Sequence, residues 1–107
     1  MEFTVLVVQQ FCYGISLTMP LLMLLLIPII GLGQWVGHIE KWEKFTAFYW
    51  SFITALTIGY GDIRPVAKSA RTLSIVIGML GIMFTGIIVA ITIAATTEAL
   101  KSVVGLE

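Results

Sequence analysis

Two stretches of this chain, Phe11 to Leu32 and Ala70 to about Leu100, are almost free of charged side chains. Each is long enough to cross a bilayer as a helix, which takes about 20 predominantly apolar residues. In lipid every backbone N–H and C=O must find a partner within the protein, so a lone spanning segment has to be helical. The composition agrees, with 59% hydrophobic and 11% charged residues against roughly half and a quarter in a soluble domain. The sequence therefore predicts an all-α membrane protein, and 107 residues are enough for a single domain over 1–107.

The segment between the spans carries the chemistry. Polarity rises from Gln34 to Lys44, where His38, Glu40, Lys41, Glu43 and Lys44 alternate with Trp35 and Trp42. Tryptophan at the end of a span is normally an interfacial anchor. Glu40 and Lys44 have the i,i+4 spacing that supports a short surface helix by a few tenths of a kcal/mol. Thr46 to Leu56 is too short to cross, yet apolar and aromatic, and reads as a re-entrant helix enclosed by protein. Gly33 and Gly37 fit small-xxx-small packing, but at the membrane edge a turn is the expected reading.

After that helix comes Thr57-Ile58-Gly59-Tyr60-Gly61-Asp62. A dehydrated monovalent cation needs a ring of oxygens in place of its hydration shell, and backbone carbonyls can supply them. Aiming successive carbonyls at one axis requires alternating right- and left-handed residues. Glycine reaches the left-handed region without steric cost, so Gly59 and Gly61 suit that alternation. The carbonyls of Thr57, Ile58, Gly59 and Tyr60, with the Thr57 hydroxyl at the inner end, are the candidate ligands for K+. Tyr60 is expected to point away from the axis.

Thr57 to Gly61 resembles the selectivity filter of potassium channels. Tyr49 to Leu56 is similar to the pore helix of that family, and Gly61 to Val66 to its outer mouth. With the two spans, the likeness covers nearly the whole chain and identifies it as a member of the two-transmembrane prokaryotic pore family. The resemblance implies an outer helix (about 11–32), a pore helix (46–56), a filter (57–61) and an inner helix (70–100). It also implies a homotetramer with three identical subunits around a central pore. It further implies passive K+ conduction with potassium ions in the filter and no other cofactor.

The same resemblance assigns residues. It has the Trp50 indole N–H brace the filter through Asp62. Ile53 stands where some members have a glutamate that pairs with the Asp62 position. Gly81 aligns with the gating hinge and Gly86 with a second, lower one. Thr85 and Val89 are to face the cavity, with Ile93 and Thr97 near the inner constriction. Arg64 occupies the outer-mouth position where an aromatic ring binds quaternary ammonium blockers. Pro20 and Pro28 lie inside the first span and are expected to bend it.

Topology by resemblance puts both termini in the cytoplasm and the chain in a prokaryotic plasma membrane. The distribution of basic residues opposes this. Of the six, Lys41, Lys44, Arg64, Lys68 and Arg71 would lie outside and only Lys101 inside. A C-terminal cytoplasmic regulatory domain, as in many relatives, is expected to follow Glu107 and to hold further basic residues.

Other classes find little support. The formal net charge is zero with no basic run, which offers nothing to nucleic acid. Cys12 has no partner for a disulfide, and with His38 it makes no metal-ligand spacing. No catalytic constellation stands out. A signal peptide would need a basic n-region and a small-residue cleavage site, both missing from the first segment. No arginine-rich span suggests a voltage sensor. Two alternatives stand beside the potassium channel. One is a weakly selective monovalent cation channel of the same fold, the other a non-conducting membrane anchor subunit. Partners are then membrane lipid, monovalent cations and copies of the chain.

Overall fold

The computed structural model describes residues 2–105. It contains three helices in the order α1 (Glu2–Glu40), α2 (Lys44–Ala55) and α3 (Lys68–Val104), and no β-sheet pairing among the described residues. α1 and α3 are both long and apolar enough to span a membrane, and only 17% of the most apolar window of each is buried within the chain. A core helix of a soluble protein would be mostly covered. Here Leu24, Ile27, Ile75 and Met79 are among the large side chains left exposed, so lipid or further protein must cover them.

Both long helices exceed the stretches the charge pattern marks out. At 1.5 Å per residue, 39 and 37 residues extend about 55–60 Å, against a hydrocarbon core of about 30 Å. Polar residues end the apolar run but do not end a helix, so α1 continues through Gln9 and Gln10 at one end and His38 at the other. It also runs through Pro20 and Pro28 without interruption.

α1 stops at a defined cap. Lys41 takes a left-handed φ of 61°. Its N–H donates to the His38 carbonyl at 3.4 Å, and that of Trp42 to the Gly37 carbonyl at 2.8 Å. This is the paired bonding of a Schellman motif, with lysine where glycine is usual. The surface helix expected around Glu40 and Lys44 is therefore absent: Glu40 ends α1, and Lys44 begins α2.

The chain packs as two compact units, one of Met23–Thr85 and the other of the chain up to Leu22 with the chain from Gly86 onward. In the first, Ile29 and Val36 of α1, Trp50, Ile53 and Ala55 of α2, and Ala70 and Ile77 of α3 form the core. Trp42 packs edge-on against Trp50 with ring centroids 5.4 Å apart. In the second unit, Ile91, Ala95 and Ala99 are buried along one face of α3. Gly14 of α1 lies so close that an added Cβ would stand 2.7 Å from Ile91 Cγ2.

Gly33 and Gly37 are not a turn. A Cβ on Gly37 would stand 2.5 Å from Ala47 Cβ, and one on Gly33 would collide with Ser51. The small residues let α1 and α2 approach to backbone contact. Gly81 does the same for α3, where a Cβ would strike the backbone of Ala55. Gly78, on the same helix, has open space around it.

Gly81→Ala is thus expected to destabilise the protein by about 1–3 kcal/mol through overpacking. Gly78→Ala should be neutral or stabilising by up to about 1 kcal/mol. Thermal unfolding of the two variants, followed by circular dichroism in detergent, checks the contrast.

Candidate functional site

The site begins where α2 runs out of helix. Leu56 N–H still donates to Phe52 O at 2.9 Å and Thr57 N–H to Thr54 O at 3.2 Å. Then the pattern changes. Ile58 and Gly59 both direct their N–H groups at one acceptor, the Ile53 carbonyl, at 2.9 and 3.0 Å. The C-terminal carbonyls of a helix have no intrahelical partners. Here the following strand supplies them.

Three alternate residues are left-handed: Thr57 at φ 62°, Gly59 at 56° and Gly61 at 81°. The two glycines fit the expectation from sequence, and an added Cβ at either meets nothing within 4 Å. Their requirement is therefore conformational and not spatial. Thr57 is the addition that sequence did not provide. A branched residue in this region costs roughly 1–2 kcal/mol. It is held by its own N–H bond and by its hydroxyl, which donates to Leu56 O at 2.6 Å.

With the N–H groups of Thr57, Ile58 and Gly59 turned back to the helix, the carbonyls face elsewhere. Among the described residues no hydrogen bond ends on a carbonyl oxygen from Thr57 to Gly61. The strand is uncovered in the single chain, with Ile58 48% and Tyr60 70% exposed. Unpaired carbonyls at membrane depth need a partner of some kind. A cation or a hydrogen-bond donor can supply it.

Asp62 closes the strand, but through a different residue from the one expected. Its Oδ2 accepts from the Tyr49 hydroxyl at 3.2 Å, and its Oδ1 from Ile63 N–H at 3.1 Å. Trp50 is buried against Trp42 instead. Successive helical residues point about 100° apart, so only one of the pair can face Asp62, and that one is Tyr49. Desolvation first, then the hydrogen bond and charge of Asp62, with the charge of Tyr60 last, push the Tyr49 phenol above its ordinary value of 10.0. The stabilisation this contributes is fully present below that ordinary value and is lost only as pH rises through the higher folded one.

A second carboxylate holds the other side of the loop. Glu40 Oε2 accepts the N–H groups of Val66 at 3.0 Å and Ala67 at 2.9 Å, just ahead of α3. Gln34 Nε2 donates to Lys44 O at 3.1 Å, tying α1 to the start of α2. Neither role has a local sequence signal. Arg64 is exposed, with Arg71, Asp62, Pro65 and Val66 around the same open pocket, and Arg71 Nε lies 3.4 Å from Pro65 O.

The remaining candidate positions lie along α3. Gly81 is committed to its contact with Ala55, whereas Gly86 has open space. Thr85 is half-buried, and its hydroxyl oxygen is buried without a partner. Val89, Ile93 and Thr97 are exposed in the single chain. No group of three metal-ligating side chains occurs among the described residues.

The profile of a family described as "Ion channel" matches residues 4–98. A protein of Caenorhabditis elegans, TWiK family of potassium channels protein 7, is 38% identical over 53 residues, 50% of this chain and 10% of that protein. The voltage-gated potassium channel Kch of Escherichia coli is 50% identical over 42 residues, 37% of this chain and 10% of its own length. Probable potassium channel protein 2 of Methanocaldococcus jannaschii is 39% identical over 54 residues, 50% of this chain and 16% of its own. The matches therefore span a sixth or less of these relatives. No solved structure gives a significant match.

The Glu40 contact is directly testable. Glu40→Ala removes a charged acceptor from two amides, each such bond being worth about 1.5–3 kcal/mol. The Val66 and Ala67 amides should then exchange with deuterium at least roughly tenfold faster, while the α2 amides keep their protection.

Proposed function

The chain belongs to the ion channel family, and from that premise we propose that it is a potassium-selective channel subunit with Thr57 to Gly61 as its filter. It is a membrane protein with two apolar helices, as the family requires. The observation that carries the selectivity reading is the left-handed alternation at Thr57, Gly59 and Gly61, together with the unpaired carbonyls between them. One such strand offers oxygens from one side only. Four copies around an axis would surround the ion with successive rings of carbonyls, replacing its hydration shell.

The parts then take these roles. The carbonyls of Thr57, Ile58, Gly59 and Tyr60, with the Thr57 hydroxyl, bind dehydrated K+ as the transported substrate. α2 serves as the pore helix, its C-terminal partial negative charge favouring a cation below the filter. Tyr49 and Asp62 brace the outer end, and Trp50 packs behind it. α1 is the outer helix and α3 the inner one. Val89, Ile93 and Thr97, uncovered in the single chain, line the inner passage with Thr85, and opening bends α3 near Gly86 or Gly81. Both termini lie on the cytoplasmic side of a prokaryotic plasma membrane. A cysteine placed after Lys101 should be labelled only from the inside.

Flux measurements test the reading. Protein in liposomes under a K+ gradient should pass K+ well above Na+, with block by internal barium. Gly59→Ala should abolish the preference, because it places a Cβ in a left-handed conformation. Equal fluxes of the two ions would favour the weakly selective alternative. External tetraethylammonium should block weakly, since a ring of Arg64 repels a cation, and Arg64→Tyr should strengthen block by about tenfold or more. Block of the unmodified channel at micromolar concentrations or below would contradict the role given to Arg64.

A further inference from the structure

We propose that Gly33, Gly37 and Ser51 are positioning residues that fix the depth of α2 and, through it, the selectivity of the strand that follows. The inference rests on the channel reading above. Its starting point is the line Ala47, Ser51 and Ala55, spaced one turn apart along α2 and all buried. Each meets a glycine of another helix: Ala47 meets Gly37, Ser51 meets Gly33, and Ala55 meets Gly81. The pairing of Gly33 with Ser51 and Gly37 with Ala47 sets α2 antiparallel to α1 in a single register.

A one-turn slip would still place small residues opposite small residues on α1. It would, however, carry Ala55 away from Gly81, so the α3 contact leaves one register only. Ser51 is the most constrained of the three side chains. It is 0% exposed and uses its only donor on Ala47 O at 2.8 Å. A Cβ added to Gly33 would stand 2.8 Å from Ser51 Cβ and closer still to the hydroxyl oxygen.

The path to the filter is short. Ser51 lies two residues before Ile53, whose carbonyl holds the N–H groups of both Ile58 and Gly59. Carbon atoms pack at about 3.5–4.0 Å, so a methyl on Gly37, 2.5 Å from Ala47 Cβ, forces α1 and α2 apart by about 1 Å. That displacement passes to Ile53 and to the Ile58 and Gly59 carbonyls. Misplacing a binding group by about 1 Å can cost as much as a hundredfold in a preorganised site.

The test transfers one methyl across the interface. Wild-type protein, Gly37→Ala, Ala47→Gly and the double variant are compared in liposomes for the ratio of K+ to Na+ flux. Gly37→Ala should lower the ratio by about tenfold or more, and adding Ala47→Gly should restore it to within about twofold. Gly33→Ala with Ser51→Gly is the second, independent pair. A merely structural contact would reduce yield or unfolding temperature and leave the ratio of conducting channels unchanged, which would overturn the proposal. So would a double variant that stays at the ratio of the single.

Should Gly37→Ala not assemble, Ala47→Gly alone decides, because it loosens the same contact without a clash. An unchanged ratio there overturns the proposal. Preferential protection of the protein by K+ over Na+ against heat gives the same comparison without an open gate. A wild type with no K+ preference in either measurement defeats the potassium-selective reading itself. A selective wild type with unaffected variants defeats only this inference.

Discussion

The Ile53 carbonyl oxygen accepts two backbone N–H groups at once, and the geometry of the following strand depends on it. Helix ends leave carbonyls without partners, and in a low-dielectric setting each must be answered. Using the strand itself as the partner orients its N–H groups in one direction and its carbonyls in the other. The left-handed residues at 57, 59 and 61 let that orientation persist from peptide to peptide. Helix termination and the exposure of unpaired carbonyls are thus a single event in this chain.

The support around this strand is mostly uncharged. Where some family members place a glutamate, this chain has Ile53, buried in the core, and contributes only its backbone to the strand. The carboxylates that do take part sit further out. Asp62 accepts from Tyr49, and Glu40 accepts from the backbone ahead of α3. Each has found donors instead of a counter-ion, which avoids desolvating a pair of opposite charges. The loop between α2 and α3 is thereby tied to α1 and α2 by hydrogen bonds of about 3 Å.

What the sequence revealed, and what it did not, follows from the range of each interaction. The two spans and the short apolar segment were legible because hydrophobic run length is a local property. Gly59 and Gly61 were legible because their conformational need is local too. The ends of α1 were not, since polarity marks where lipid stops and not where hydrogen bonding stops. Its cap uses Lys41 in a conformation that glycine normally signals. Glu40 reaches residues 26 and 27 positions away, and no nearby pattern announces that. The partner of Asp62 was misassigned by one position, from Tyr49 to Trp50, which is a rotation about the helix axis. Gly33 and Gly37 carried a packing signal, but their place at the membrane edge argued for a turn until the small face of α2 was known.

The left-handed Thr57 has a consequence for how this position can change over evolutionary time. Glycine would relax the backbone there, yet it would remove the only side-chain oxygen on the strand's inner end. Serine would keep an oxygen with less steric conflict but hold it less rigidly, because the branched side chain restricts χ1. Alanine would retain most of the strain and supply nothing. With the role proposed for Thr57, local stability and ion binding favour different residues at the same site. A substitution that relaxes the backbone at position 57 would then give up the hydroxyl oxygen that the proposed role uses.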